Sequence, residues 1–267
     1  MCKNVVGNIG DRTFRIPAGY DSIAIHLLRS TRNHETIVRL NLIIQRIAWK
    51  QGVVNVEFKS TLDGTASRLR CRKAIITVSL GVLQAGAIEF DPEPSVRFTA
   101  ARSLKFGHVY RVAFRFPAVF WEESERFENI GFLISRDKRF STWWTTHPLI
   151  SPVLTAWMAA SAAEQFRSST RAYIVKEALG SLARIMHRGI PPPAAAYFHD
   201  LRRDPYFRGA YSYVPVNQLT ARASLAKPVQ STLYFAGEAA ETNGHASTVH
   251  GAIASGLRAA ELVQGKR

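Results

Sequence analysis

The stretch Ser231–Val263, STLYFAGEAAETNGHASTVHGAIASGLRAAELV, restricts the fold more than any other part of the chain. A short apolar run, Leu233–Ala236, predicts a strand that stops at Gly237, where a missing side chain lets a ligand approach the backbone. Glu238 follows at once. Thr242, Asn243, Gly244 and His245 are too polar for a core and predict a loop. Ser247 and Thr248 are both good helix N-caps, and Val249, Ile253, Leu257 and Ala260 then recur at helical spacing as an apolar stripe. Gly251, Ala252, Ser255 and Gly256 leave room for close packing on the same helix. Its first amides carry roughly half a positive charge, which favours a phosphate or an electron-rich ring. A strand, a Gly-Glu turn and a small-residue helix in this order suit a cofactor seat.

Elsewhere the pattern is α+β. Asp21 or Ser22 caps a short helix through Leu28. Arg39–Trp49, Val53–Phe58 and Leu69–Val78 read as three strands of a β-meander, with turns at Lys50–Gly52 and at Asp63-Gly64. In the strand Val109–Phe116, the side chains of Tyr110, Val112, Phe114 and Phe116 share one face, and Arg111 and Arg115 share the other. Ser168–His187 is an amphipathic helix with Ile174, Ala178, Leu182 and Ile185 inward, stopped by Gly189 and the prolines at 191–193. No internal repeat or low-complexity segment is found.

Composition narrows the function classes. A chain of 267 residues with 46% hydrophobic content can bury a core in one or two domains. Two cysteines, Cys2 and Cys71, make neither a disulfide framework nor a metal cluster, so a reducing, cytoplasmic location is expected. No apolar run approaches a membrane-spanning length, and Met1–Asp11 has no signal-peptide core. The formal charge is +15, but the basic residues are scattered and are not interleaved with Trp143 and Trp144, which argues against nucleic acid as a partner. The eight histidines make no ligand cluster: His245 and His250 are five apart, off one helical face, and read as loop and helix surface. No Ser/His/Asp arrangement is suggested by spacing.

The C-terminal segment closely resembles the flavin-binding motif of the FAD-dependent amine oxidase family, the family of monoamine and polyamine oxidases. RKAIITVSLGVLQAGAIEFDPEP (Arg72–Pro94), the strand Val109–Phe116 with Phe120 and Trp121, and DPYFRGAYSYVPV (Asp204–Val216) resemble further family blocks in the same order, and FRIPAGYDSI (Phe14–Ile23) resembles the segment ahead of the meander. The resemblance implies an incomplete Rossmann-like FAD-binding domain from residues 12–82 and 211–267, and an antiparallel-sheet substrate domain from 83–210. The family's opening G-x-G-x-x-G unit has no counterpart: Gly7 and Gly10 lack the third glycine, and Gly251 and Gly256 lack the Lys and Ser/Thr of a P-loop. The expectation is therefore the later half of an oxidase, from a truncated, split or misannotated reading frame, whose N-terminal half comes either from a separately encoded partner or from an earlier start codon.

By the same resemblance, the chain oxidises an amine to an imine and then an aldehyde, with release of hydrogen peroxide. Gly237 and Glu238 match the pair at the FAD phosphates and ribitol, Thr248 and Val249 match flavin-ring contacts, and Ser247 stands where a glycine is usual. Ile44 and Ile47 occupy the positions that flank adenine, although both also suit a sheet interior. Tyr211 matches one aromatic wall of the substrate cage, and Thr248 stands where many members have the other. Ala210 replaces the cysteine of covalently flavinylated relatives, so FAD is expected to be noncovalent. Gln84 and Asp91 fill the places where a lysine would be expected near the flavin, which leaves the reaction with oxygen open. Two readings of other kinds stand beside this one: a non-catalytic remnant serving as a basic binding module, and a related flavin desaturase.

Overall fold

The computed structural model describes residues 16–31 and 36–265. Cys2, Gly7, Gly10 and the first two residues of the 14–23 segment lie outside the described residues. The described residues fall into two compact units, divided between residues 40 and 41. In the first, α1 (Asp21–Thr31) runs three residues beyond the expected end at Leu28. The Ser30 and Thr31 hydroxyls donate to the Leu27 and Leu28 carbonyls in that last turn.

The second unit opens with the antiparallel strands β1 (Leu42–Lys50), β2 (Val53–Ser60) and β3 (Ala66–Cys71). Both expected turns are present, with Gly52 and Gly64 in the left-handed region at φ 75° and 74°. The third expected strand, Leu69–Val78, is in fact two. β3 pairs with β2, whereas β4 (Ala74–Ile76) leaves the meander and pairs in parallel with a strand near the C-terminus. Then come α2 (Leu80–Gln84), β5 (Glu89–Asp91) and α3 (Ser95–Ser103). β5 lies parallel to β1, and Arg46 of β1 reaches Glu89 at 3.2 Å and Asp91 at 2.5 Å.

After β6 (Lys105–Gly107), a five-stranded antiparallel sheet is built from β7 (Val109–Arg115), β8 (Phe132–Ile134), β9 (Thr142–Trp144), β10 (Val153–Ala159) and, beyond α4 (Ala160–Gln165) and α5 (Arg171–Met186), β11 (Ala195–Phe198). Its order is β11-β7-β10-β9-β8. The alternation expected at 109–116 is observed: Tyr110, Val112, Phe114 and Phe116 are each at most 2% exposed, and Arg111 and Arg115 face outward. This buried face joins Leu154, Met158 and Trp143 in one core with Ile174, Ala178 and Leu182 of α5. α5 starts later than expected, at Arg171, because the Thr170 hydroxyl caps Tyr173 N–H. It ends at His187, which takes the left-handed C-cap (φ 53°) before Gly189 is reached.

β12 (Tyr211–Tyr213) pairs with β6, and α6 (Ala221–Ala226) precedes β13 (Leu233–Phe235), the partner of β4. A short 3-10 turn (Glu238–Ala240) and a loop lead into α7 (Val249–Gln264). β13 is buried on both faces. Leu233 and Phe235 join a core with Ile47, Val54, Phe90 and Leu104, and Tyr234, with Ala236 just beyond, packs on Ala259 of α7. The change from this core to that of the five-stranded sheet falls between Leu104 and Tyr110. The fold is thus mixed α+β with several separate sheets.

Candidate functional site

Between β1, the β4–α2 connection and the end of β13 lies a cavity of about 680 Å³, walled by Ile44, Ile76, Val78, Phe106 and Phe235. Gly237 and Glu238 sit at its rim. Gly237 has φ 131° and ψ 177°, a conformation that side-chain-bearing residues avoid. A Cβ built on it would meet no atom within 4 Å. The backbone here is therefore open to whatever fills the cavity. Its N–H is held by Ser255 Oγ of α7 at 3.1 Å.

α7 packs through its small residues and not through its apolar stripe. Val249, Ile253 and Leu257 are 51%, 37% and 62% exposed, and the buried positions are Gly251, Ser255 and Ala259. The reason is steric. A Cβ on Gly251 would stand 1.9 Å from His245 O, so the helix can approach the loop this closely only with glycine at that point. Glu241, 2% exposed, braces the same loop by accepting N–H bonds from Asn243 (2.5 Å) and His245 (2.8 Å).

The loop before α7 is held by a buried polar network. Arg222 Nη1 donates to Ser212 Oγ (2.8 Å) and Glu238 O (3.0 Å), and Nη2 donates to Ser212 O (3.0 Å) and Ser247 Oγ (3.4 Å). Ser212 in turn donates from Oγ to the Glu238 carboxylate at 2.6 Å. Burial lowers the Arg222 pKa, against the opposing pull of Glu238 and Glu241. Ser247 has φ 66°, the left-handed region where glycine is favoured, and its hydroxyl donates to Ser212 O. Thr248 caps α7: its hydroxyl accepts Gly251 N–H (3.1 Å) and donates to His245 O (2.5 Å). Thr248→Ala is expected to cost about 1 kcal/mol, read as a lower denaturant midpoint at unchanged slope.

Among the residues singled out from sequence, the cavity brings together Gly237, Glu238, Ile44 and Ala210. Ile47 is 5% exposed in the core and does not face it, as its place in a sheet interior allows. Ser247, Thr248 and Val249 lie at the start of α7 and do not line the cavity, and neither does Tyr211. Tyr211 stacks on Trp157 with ring centroids 6.5 Å apart and planes 4° from parallel, and Trp157 meets Trp144 at 5.9 Å. An aromatic neighbour for Tyr211 thus comes from β10, which sequence reasoning missed, as it missed Arg222 and Ser212. Gln84 is engaged elsewhere, its Nε2 donating to Ala101 O and Leu104 O at 2.9 Å each. Asp91 is engaged with Arg46. The His245 and His250 rings do meet, at 5.0 Å, but no group of three metal-binding side chains exists among the described residues.

Comparison with known proteins agrees with this geometry. The chain is 29% identical over 95% of its length to lysine-specific histone demethylase 1 homolog 3 of Arabidopsis thaliana, of which it covers 16%. It is 35% identical over 85% of its length to histone demethylase-like protein A of Aspergillus fumigatus, of which it covers 22%. A putrescine oxidase redesigned in its cofactor binding superposes with a TM-score of 0.77 over 94% of the chain at 21% identity. Cyclohexylamine oxidase from Brevibacterium oxydans gives 0.67 over 92% at 20% identity. The chain spans 54% and 53% of these two structures, and under a quarter of the two demethylase relatives. The family model of flavin-containing amine oxidoreductases matches residues 3–264, and the chain belongs to that family.

Proposed function

We propose that this chain forms the substrate side and the final β-to-α junction of a flavin-dependent amine oxidase. It would oxidise an amine to an imine, which hydrolyses to an aldehyde, with release of hydrogen peroxide. The observation that carries the reading is Gly237, whose missing side chain opens the backbone onto an apolar cavity beside Glu238. That cradle fits FAD, because a Cβ at 237 would occupy space that a ligand can take and the flanking walls are apolar enough for a flat ring system. Gly237, Glu238 and Ile44 would hold the nucleotide portion with Ile47 behind them in the core, and Ser247, Thr248 and Val249 the ring. When bound, FAD supplies the acceptor for the electron pair removed from the amine carbon.

The remaining work belongs to the chain. Apolar walls exclude water, which strengthens every polar contact inside. The N-terminus of α7 favours negative charge developing beside it. Tyr211, stacked on Trp157, and Thr248 stand outside the cavity lining and are proposed to orient the amine beside it, the Tyr211 ring face acting through dispersion and its quadrupole. Ala210 at the cavity wall has no thiol to offer, so FAD is held noncovalently. The division into an FAD part (12–82 and 211–267) and a substrate part (83–210) is part of this proposal, and the separate core of the five-stranded sheet, drawn from residues 110–186, favours a substrate part of its own. The nucleotide-binding part of such an oxidase is proposed to pack on the exposed stripe Val249, Ile253 and Leu257. Free Cys71 accords with a reducing, cytoplasmic setting, and no described helix is long and apolar enough to cross a membrane.

The test is to purify the chain, add FAD, remove the excess and record the visible flavin spectrum. Peroxide release is then followed with putrescine, cyclohexylamine and a methyl-lysine peptide. Retained flavin with amine-dependent peroxide is expected. No retained flavin, alone or with a nucleotide-binding half from a relative, would overturn the proposal. One observation favours the desaturase as second reading: neither Gln84 nor Asp91 is a cation, and both are committed to structural bonds. Flavin reduction by an unsaturable substrate without amine-dependent peroxide would decide for it.

A further inference from the structure

A second cleft, of about 720 Å³, lies where the C-terminal end of α2 meets the loop between α4 and α5 and the loop 200–208. Its side-chain lining is basic: Arg167, Arg202, Arg203, Arg208 and His108, with Ser168 and Gln84, and no carboxylate lines it. The acidic residues nearby are already paired. Glu164 meets His108 Nε2 at 3.2 Å, Asp200 meets Arg203 at 3.5 Å, and Asp204 meets His199 at 2.8 Å. Arg202 is fixed by a bond from Nη2 to the Arg167 carbonyl, and Arg208 by one from Nε to Pro205 O. Each bond occupies one edge of a guanidinium that has five N–H donors. The Arg167 guanidinium has no hydrogen-bond partner among the described residues. His108 Nδ1 is buried without one.

Four guanidinium groups converge here, three of them with no carboxylate partner among the described residues and Arg203 with Asp200 on one edge only, and planar forks of this kind match the oxygens of a phosphate two at a time. We propose that this cleft is a binding site for a small, multiply charged phosphate anion of the pyrophosphate class. It is distinct from the flavin cavity, sharing with it only Arg208. No Phe, Tyr or Trp lines it, so it lacks the aromatic platform on which successive nucleic-acid bases stack.

Calorimetric titration of the FAD-free chain with sodium pyrophosphate tests this, with inorganic phosphate and a short DNA duplex as further titrants. Pyrophosphate is expected to bind at least tenfold more tightly than phosphate. Arg167→Glu and Arg203→Gln should each weaken it at least tenfold, Arg167→Lys should weaken it less, and Arg70→Glu on β3 should leave it unchanged. Circular dichroism verifies that each variant is folded, and Arg203→Gln carries the test should Arg167→Glu not fold. Absence of pyrophosphate binding, equal weakening by Arg70→Glu, or a duplex that binds more tightly than pyrophosphate and displaces it would each overturn the proposal. Because the readout needs no flavin, failure of the oxidase reading leaves this result standing, and the reverse.

Discussion

Replacing Arg222 with methionine is expected to lower the stability of the chain by about 3 kcal/mol, the scale for removing one partner of a largely buried charged group. The side chain is 13% exposed, and its two terminal nitrogens serve four acceptors on three separate segments: β12, the 3-10 turn after β13 and the loop before α7. Methionine fills much of the volume but donates nothing. The Glu238 carbonyl would lose its Arg222 donor, and the Glu238 carboxylate would lose the cation 4.0 Å away. A buried acceptor without its partner costs about 1–3 kcal/mol by itself. Arg222→Lys should fall between the two, since an ammonium cannot span the same fork. Denaturant unfolding measures both. A loss below about 1 kcal/mol for the methionine variant would show that the network is not what holds Ser247 and Glu238 in place.

This network marks the limit of what could be read from the chain. Strand Val109–Phe116 was legible because its partner surface repeats every second residue, and α5 because its apolar positions keep one face. Local periodicity carries such information whatever the partner is. Arg222 has no such signature. Among 35 basic residues scattered over a +15 chain, nothing local marks Arg222: it is drawn inward by Ser212 and Glu238, which reach it from 10 and 16 residues away. The same holds for Leu69–Val78, which reads as one strand because no Gly, Pro, Asn or Asp interrupts it. It splits because β4 finds its partner in β13 about 160 residues later.

The stripe on α7 keeps the expected period, and Gly251 and Ser255, two of the small residues expected to allow close packing, are the ones that are buried. Val249, Ile253 and Leu257 do recur at helical spacing, yet the helix turns its small residues inward because contact with the His245 loop demands glycine at 251. Gly237 and Glu238 were legible in type and place, since an apolar run ending in Gly-Glu before a polar loop leaves few arrangements of the backbone. Ser247 shows both sides. Its departure from glycine is plain in the sequence, and the left-handed backbone that makes the departure unusual is visible only in the structure, where Ser212 and Arg222 hold it.

Gly237→Val is expected to weaken FAD binding at least about a hundredfold, equivalent to about 2.7 kcal/mol. Two effects add. At φ 131° a β-branched residue is strained by about 1–3 kcal/mol, and its side chain would project into the space that a Cβ at 237 finds empty. Gly237→Ala separates them, because a single methyl carries most of the strain but little of the volume, so it should lower stability more than it lowers flavin affinity. Gly256→Ala is the control: it lies within α7, its Cβ meets nothing within 4 Å, and its φ is not positive. Alanine there should leave flavin binding unchanged and stabilise the helix by about 0.5–1 kcal/mol. Flavin fluorescence quenching on titration reads the affinities, and thermal unfolding without flavin reads the strain. If the valine variant bound FAD as tightly as the parent chain, the cofactor would not pass beside the end of β13, and the cavity there would have to serve another ligand.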